Sequence, residues 1–340
     1  MALLDFTGKG IYCAAGDFYI DPWKPVKCAV ITHAHSDHAK AGMGFYISHR
    51  DSVPVLTYRL GDIAVKGYNY NETFTVNGVT LSFHPAGHII GSAQVRVEYK
   101  GEIWVASGDY KLENDLISSA FEPVRCHTFI TESTFGLPIY NWRPQQEVFD
   151  EINAWWKSNS DQNKASVLLG YSLGKAQRLI HNVDHSIGKV YTHGAIHNLN
   201  EIFREIGYTL KPSTRITPDT PRADFRKALI IGPTSAINSP WLHKFEPYSL
   251  GIASGWMGLR GARRRRAADR GFVLSDHADW NDLNTVIRET GAEKVYVTHG
   301  YISAFSRWLT ENGLEAYEAR TEYEGELAEI TGQPEEATES

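Results

Sequence analysis

Cys28-Ala29-Val30-Ile31-Thr32-His33-Ala34-His35-Ser36-Asp37-His38 is the stretch on which the fold turns. An apolar run of strand character ends in six residues that hold three imidazoles and a carboxylate. In extended backbone His33 and His35 project to the same side, so they can chelate one ion. Asp37 and His38 lie one step further on and can reach a second. Ser36 or Asp37 would also serve as the N-cap of a helix starting at Ala39, a reading in which the histidines carry no chemistry. Two isolated residues join the cluster, His88 in Pro85-Ala86-Gly87-His88 and Asp109 in Ser107-Gly108-Asp109-Tyr110. Each sits in a glycine-containing loop beside an apolar, β-rich segment.

The first third of the chain reads as short strands and turns: 10–13, 18–20, 28–32, 53–57, 74–76, 79–83, 93–99 and 103–107. Asn77-Gly78 between two of these is a hairpin signal. The middle alternates strand and helix, which predicts a small parallel α/β unit. Its helices are expected over 147–157, 174–183 and 198–206, and its strands over 166–171, 189–192 and 228–233. Two later strands, 271–274 and 294–298, run into His277 and His299, with a helix over 282–289 between them. Only the tail from about Gly332 has the composition of a disordered segment.

A chain of 340 residues with 42% hydrophobic residues has enough apolar material for one large or two ordinary cores. No apolar run approaches the ~18 residues of a membrane helix, and the N-terminus lacks a secretory pattern. These features predict a cytoplasmic protein with no membrane partner. Three cysteines, Cys13, Cys28 and Cys126, form no Cys-x-x-Cys pair, so a metal here would be held by imidazole and carboxylate, a donor set suited to zinc or manganese. The net charge of −6 gives no global attraction to nucleic acid. Six arginines, at 260, 263, 264, 265, 266 and 270, nevertheless form a local basic stretch. Such a stretch holds phosphates or is simply a solvated helix face.

A hydrolytic two-metal centre sets its ions ~3.5 to 4 Å apart around a bridging oxygen. Here His33, His35 and His88 would hold the first ion and Asp37, His38 and His299 the second, with Asp109 bridging. Asp21, in Ile20-Asp21-Pro22, would orient a ligand imidazole from behind, or is an ordinary turn residue.

Asp21, His33-x-His35-x-Asp37-His38, His88 and Asp109 resemble, in order and context, the motifs of the metallo-β-lactamase superfamily. Glu132 in Ile130-Thr131-Glu132-Ser133-Thr134-Phe135-Gly136, His277 and His299 are similar to the three motifs of its β-CASP branch of nucleases, as is the turn Gly170-Tyr171-Ser172-Leu173-Gly174-Lys175-Ala176-Gln177. The resemblance implies an α/β fold: an αββα sandwich from residues 1–140 and 271–335, with a β-CASP α/β domain inserted at 141–270. It also implies that Glu132 orients His277, and that His277 contacts the scissile phosphate and protonates the leaving oxygen. Catalysis would then rest on Asp37, Asp109, His277 and Glu132. An imidazole titrating near neutrality suits that task. Taken alone, His277 would be a surface or helix-capping histidine.

Within the branch, Ser254-Gly255-Trp256-Met257, the arginines and Leu274-Ser275-Asp276-His277-Ala278-Asp279-Trp280 are similar to the bacterial exonucleases associated with an ATP-dependent DNA ligase. This implies a metal-dependent DNA exonuclease, acting from the 5′ end of single strands in DNA repair, with a ligase and a helicase in the same pathway. Three positions bear on the alternative, a β-CASP ribonuclease of RNA processing. His299 is a histidine as in RNA-processing members, whereas Tyr301 follows Gly300 where those members place glutamate, and Asp276 stands where they tend to have a small residue. For the substrate, Arg260, Arg263 and Arg264 with Trp256 would form a basic and aromatic wall, while Ser172 and Gly174 would bind a phosphate at the following helix. Trp256 would otherwise pack in a core.

Overall fold

The computed structural model describes residues 2–259 and 268–323. They form two compact units, residues 2–141 with 277–323, and residues 142–259 with 268–276. The arginines at 260, 263, 264, 265 and 266, and the tail from Gly332, lie outside the described residues.

In the first unit β1 (Asp5–Phe6), β2 (Ile11–Cys13), β3 (Phe18–Ile20), β4 (Ala29–Ile31), β5 (Tyr46–His49) and β6 (Val65–Tyr68) form one sheet in chain order. A second sheet begins with the antiparallel run β7 (Thr73–Val76), β8 (Val79–Pro85), β9 (Ala93–Tyr99) and β10 (Glu102–Ala106), and continues in parallel through β11 (Thr128–Ser133), β18 (Lys294–Gly300) and β19 (Glu315–Glu318). Alternating apolar residues of the two sheets meet, Ile11, Phe18, Ile20, Val30 and Ile47 against Leu81, Phe83, Val95, Val97 and Ile130. The opposite face of the second sheet buries Val105, Phe129, Val295 and Val297 under Leu283, Val286 and Ile287 of α5 (Trp280–Thr290) and Phe305 and Leu309 of α6 (Ile302–Glu311). That is the layering expected of strands whose alternate residues are apolar on both faces. Asn77 and Gly78 turn β7 into β8 with φ of 47° and 83°, as the hairpin signal requires.

The segment 53–57, expected as a strand, is instead the first part of α1 (Val53–Leu60). Five apolar and β-branched residues are too few to fix a period. Pro54 fits the first helical turn, where its missing N–H costs nothing.

The second unit is a six-stranded sheet in which every pairing is parallel, in the order β14 (Thr214–Arg215), β13 (Val190–Thr192), β15 (Leu229–Pro233), β12 (Ala165–Gly170), β16 (Tyr248–Ala253) and β17 (Arg270–Phe272). Its core joins Leu168, Leu229 and Ile231 to Phe149, Ile152 and Trp156 of α2 (Gln145–Asp161), to Leu179 and Ile180 of α3 (Lys175–Asn182), and to Ile196 of α4 (Gly194–Glu205). The helix expected from 198 starts four residues earlier because His193 caps it, its Nδ1 accepting from Ala195 N at 3.2 Å.

Candidate metal centre

The donors gather at the ends of strands in the first unit. β4 runs into Thr32-His33, β8 into the loop carrying His88, β10 into Asp109, and β18 carries Thr298-His299. Glycines let two of these backbones close in. Gly108 has φ of 58°, and a Cβ there would lie 2.7 Å from the Thr32 side chain. At Gly300, with φ of 93°, a Cβ would lie 2.2 Å from Ser133 O. The β11–β18 register shifts beside that glycine, between Thr131 and Ser133. It thus sits at an irregularity of the kind that re-aims a neighbouring side chain, here His299.

Buried Asp109 is where the donors converge. Its Oδ1 lies 2.9 Å from His299 Nε2, and its Oδ2 lies 3.5 Å from both His33 Nε2 and His38 Nε2, 3.9 Å from His88 Nε2 and 4.0 Å from His277 Nδ1. Three donor groups share it: His33, His35 and His88; His38 and His299; Glu132 and His277, with all donor atoms of each group, Asp109's included, within 4.8 Å of one another. Asp37 stands outside these groups, its Oδ2 3.7 Å from His38 Nε2. Burial opposes the charge of Asp109, but His38, His299 and His277 outweigh it and hold the carboxyl well below its ordinary range.

A hydrogen-bonded layer behind the donors sets their tautomers. Asp21, in the left-handed region at φ 41°, accepts from Thr32 N at 2.8 Å, from Thr32 Oγ1 at 2.5 Å and from His38 Nδ1 at 2.8 Å. With its proton given to Asp21, the Thr32 hydroxyl accepts from His33 Nδ1, 3.1 Å away. The Nε2 lone pair of His33 is thereby left for another partner. Thr298 repeats the device: its hydroxyl donates to Thr131 O at 3.0 Å and stands 3.2 Å from His299 Nδ1. Burial and then the charge of His38 push His33 well below its ordinary pKa. Burial also works against charge on His38, yet Asp109, Asp37 and Asp21 prevail and raise it to about 10.

The donor set fits a divalent ion on an observation independent of motif. His33 Nε2 and His38 Nε2 are buried and have no hydrogen-bond partner, an expensive arrangement for a polar atom unless something else binds it. Zinc–imidazole bonds of ~2.0 to 2.1 Å require donors a few ångströms apart, as these are.

Glu132 holds two partners, its Oε1 accepting from Tyr110 N at 2.8 Å and its Oε2 lying 2.8 Å from His277 Nδ1. The elements that sequence reasoning missed surround these residues. Tyr323 stacks on the His38 ring at 4.4 Å and 19°, and its hydroxyl donates to Asp21 O at 3.1 Å. Burial, then Asp21 and Asp37, raise its pKa well above the ordinary value, so the phenol remains a donor. Within the second unit, directly before His277 in the chain, Asp276 takes Lys175 Nζ at 3.2 Å and Arg178 Nη1 at 3.1 Å, all three side chains being buried. The one signal for that trio was Asp276 itself, an acid directly before His277.

Of the residues expected at the substrate, Ser172 is half-buried and Gly174 is buried at the start of α3, with Gly174 N donating to Gln177 Oε1 at 2.7 Å. Trp256 is 2% exposed. Arg260, Arg263 and Arg264 lie outside the described residues. Among the described residues no helix is long and apolar enough to cross a membrane.

No protein-family model matches the chain. It is 30% identical over 314 residues to a probable DNA ligase of Opitutus terrae, an alignment covering 91% of this chain and 30% of that protein. It is 31% identical over 131 residues to the endoribonuclease ysh-1 of Neurospora crassa, 37% of this chain and 15% of that one. To an RNase J-like protein of Methanocaldococcus jannaschii it is 24% identical over 347 residues, 82% of each. The chain thus spans under a third of the length of the first two relatives. A solved structure, that of a protein of unknown function from Enterococcus faecalis, superposes with a TM-score of 0.59 at 13% identity over 86% of this chain and 78% of that one, a likeness of fold alone. With histidines and aspartates converging on Asp109 and relatives that follow the sequence through both units, the chain is similar to nucleases of the β-CASP branch of the metallo-β-lactamase superfamily.

Proposed function

We propose that the chain is a nuclease, a metal-dependent phosphodiesterase with two divalent ions, zinc or manganese, around Asp109. The observation that carries this reading is the position of buried Asp109, 3.5 Å from two imidazole nitrogens that have no hydrogen-bond partner. His33, His35 and His88 would hold one ion and Asp37, His38 and His299 the other, with Asp109 shared. When bound, such ions supply an activated water and polarise the scissile phosphate.

The rest of the chemistry belongs to the chain. Asp21 fixes His38 directly and His33 through Thr32, so both rings turn Nε2 toward Asp109. Glu132 ties His277 at Nδ1, which leaves Nε2 as the atom that meets a phosphate oxygen and passes a proton to the leaving group. On this reading residues 1–140 and 271–335 are the hydrolase domain and 141–270 the β-CASP domain, with Ser172 and Gly174 set to take a phosphate.

The substrate we assign is DNA with a free 5′ end, single-stranded, in DNA repair beside a ligase. The relative that aligns with 91% of this chain is named a probable DNA ligase, which supports that setting. A ribonuclease is the second reading, favoured by His299 and by the relatives named endoribonuclease and RNase J-like protein.

Matched single strands of DNA and RNA, labelled separately at each end, test both with added manganese. Short products released from 5′-labelled DNA by the wild type, and lost in Asp37→Ala, are the expected result. Cleavage of RNA with DNA intact moves the substrate to RNA, and equal activity in Asp37→Ala removes the two-metal assignment.

A further inference from the structure

Because every strand of the second sheet runs the same way, the carboxyl ends lie along one edge. Open parallel sheets of this kind gather ligands in the crevices outside those ends. At this edge β14 ends on Arg215, β13 runs into His193, and the turns after β15 carry Trp241 and Lys244. Thr192 and Arg215 are paired across the two strands. The Arg215 guanidinium comes so close to the start of α4 that a Cβ on Gly194 would lie 3.6 Å from its Nη2. Trp241 sets its ring 5.2 Å from that of His193 at 72°, and a Cβ on Gly232, at the end of β15, would lie 2.8 Å from the indole.

The charges here are unbalanced. Arg215 and Lys244 are exposed, and neither forms an ion pair among the described residues. Glu246 is engaged by His243 at 2.8 Å and Glu201 by Arg204. His193 accepts from Ala195 N at Nδ1, so its ring proton sits on Nε2. Burial, then Lys244 and Arg215, keep that imidazole below its ordinary pKa, and it remains a neutral donor between two cations. Two unpaired cations and an indole on a chain of net charge −6 form a surface matched to a ligand with repeated anionic groups and flat apolar faces.

We propose that Arg215, His193, Trp241 and Lys244 form a contact surface for single-stranded nucleic acid, with backbone phosphates on the two cations and on His193 Nε2–H, and a base against Trp241. The inference rests on the nuclease reading and names a second place where that enzyme's substrate is held. Strand spacing of ~4.8 Å puts the end of β14 about 14 Å from that of β12, where Ser172 and Gly174 begin the turn into α3. The same edge therefore offers a track for a short run of nucleotides.

The test is fluorescence anisotropy of the full chain with a labelled oligonucleotide, DNA and RNA in turn, in EDTA and across a salt series. Arg215→Glu with Lys244→Glu should weaken binding at low salt at least tenfold. The slope of log affinity against log salt should flatten by ~1.4, since each single-strand phosphate contact contributes ~0.7. The charge-keeping pair Arg215→Lys with Lys244→Arg should retain the wild-type slope, and the single alanines should each lose about half the effect, which covers a reversal variant that does not fold. Wild-type affinity and slope in a folded reversal or alanine variant would overturn the proposal, whether or not the enzyme cleaves. A wild type that binds in this charge-dependent way but hydrolyses nothing would instead remove the nuclease reading and leave the surface in place.

Discussion

Thr298 stands 3.2 Å from Nδ1 of His299, with its own proton given to Thr131 O, and so it accepts from the ring. Thr32 stands in the same relation to His33. Both are the last step before a histidine at a strand end. Replacing Thr298 by valine keeps shape and removes the acceptor. Metal affinity, measured by competition with a chelator, should fall ~10- to 100-fold, the usual effect of losing such an orienting partner. Unchanged affinity would mean that the hydroxyl does not set the ring.

His38 gives the metal-free protein a pH dependence. A histidine raised from 6.5 to about 10 in the folded state adds stability that is complete below pH 6.5 and is lost as pH climbs toward 10. In EDTA the melting temperature of the wild type should therefore drop over that window more than that of His38→Gln. Metal must displace the Nε2 proton to bind. Calorimetry at pH 7 in buffers of different ionisation enthalpy should register release of about one proton from this residue, and none would contradict its place as a ligand.

Glu132→Gln removes the carboxylate that ties His277 Nδ1 while an amide oxygen can still accept from Tyr110 N. Turnover on an oligonucleotide should fall ~10²-fold, within the range of a lost general acid, with metal content intact. A nitrophenyl phosphodiester, whose leaving group needs no proton, should lose much less. An equal loss on both substrates would exclude proton delivery as the role of His277.

Asp276 neutralises two buried cations. Its replacement by alanine takes the Asp276 carboxylate away from buried Lys175 and Arg178, a kind of change that costs ~3 to 5 kcal/mol. Urea unfolding should show it, and Asp276→Asn should recover part. A loss within the ordinary surface range of ±0.5 kcal/mol would mean that the pair is solvated in solution.

The parts of this structure that were readable in sequence are those where local chemistry dictates the outcome. Asn77-Gly78 accepts positive φ and so makes its turn, and His33, His35, His38, His88 and Asp109, which the fold gathers, stand out by type and spacing. Val53–Leu60 was misread because five residues cannot separate a buried helix from a strand. Tyr323, Lys175 and Arg178 escaped for another reason. Each is an ordinary residue until folding stacks it on His38 or pairs it with Asp276, and no local pattern records a contact between residues so far apart in the chain.

Where β11 pairs with β18, the Ser133 hydroxyl donates to Thr298 O, 165 residues further along the chain. A ribosome has thus delivered His33, His35, Asp37, His38, His88 and Asp109 long before it delivers His299, and the whole second unit must emerge in between. The nascent chain carries most of the proposed metal site through that interval with its last sheet strands missing. If the proposed ions bind there, capture of the full complement of metal becomes a late event of synthesis, because a chain stalled within the second unit has His33, His35, Asp37, His38, His88 and Asp109 but not yet His299.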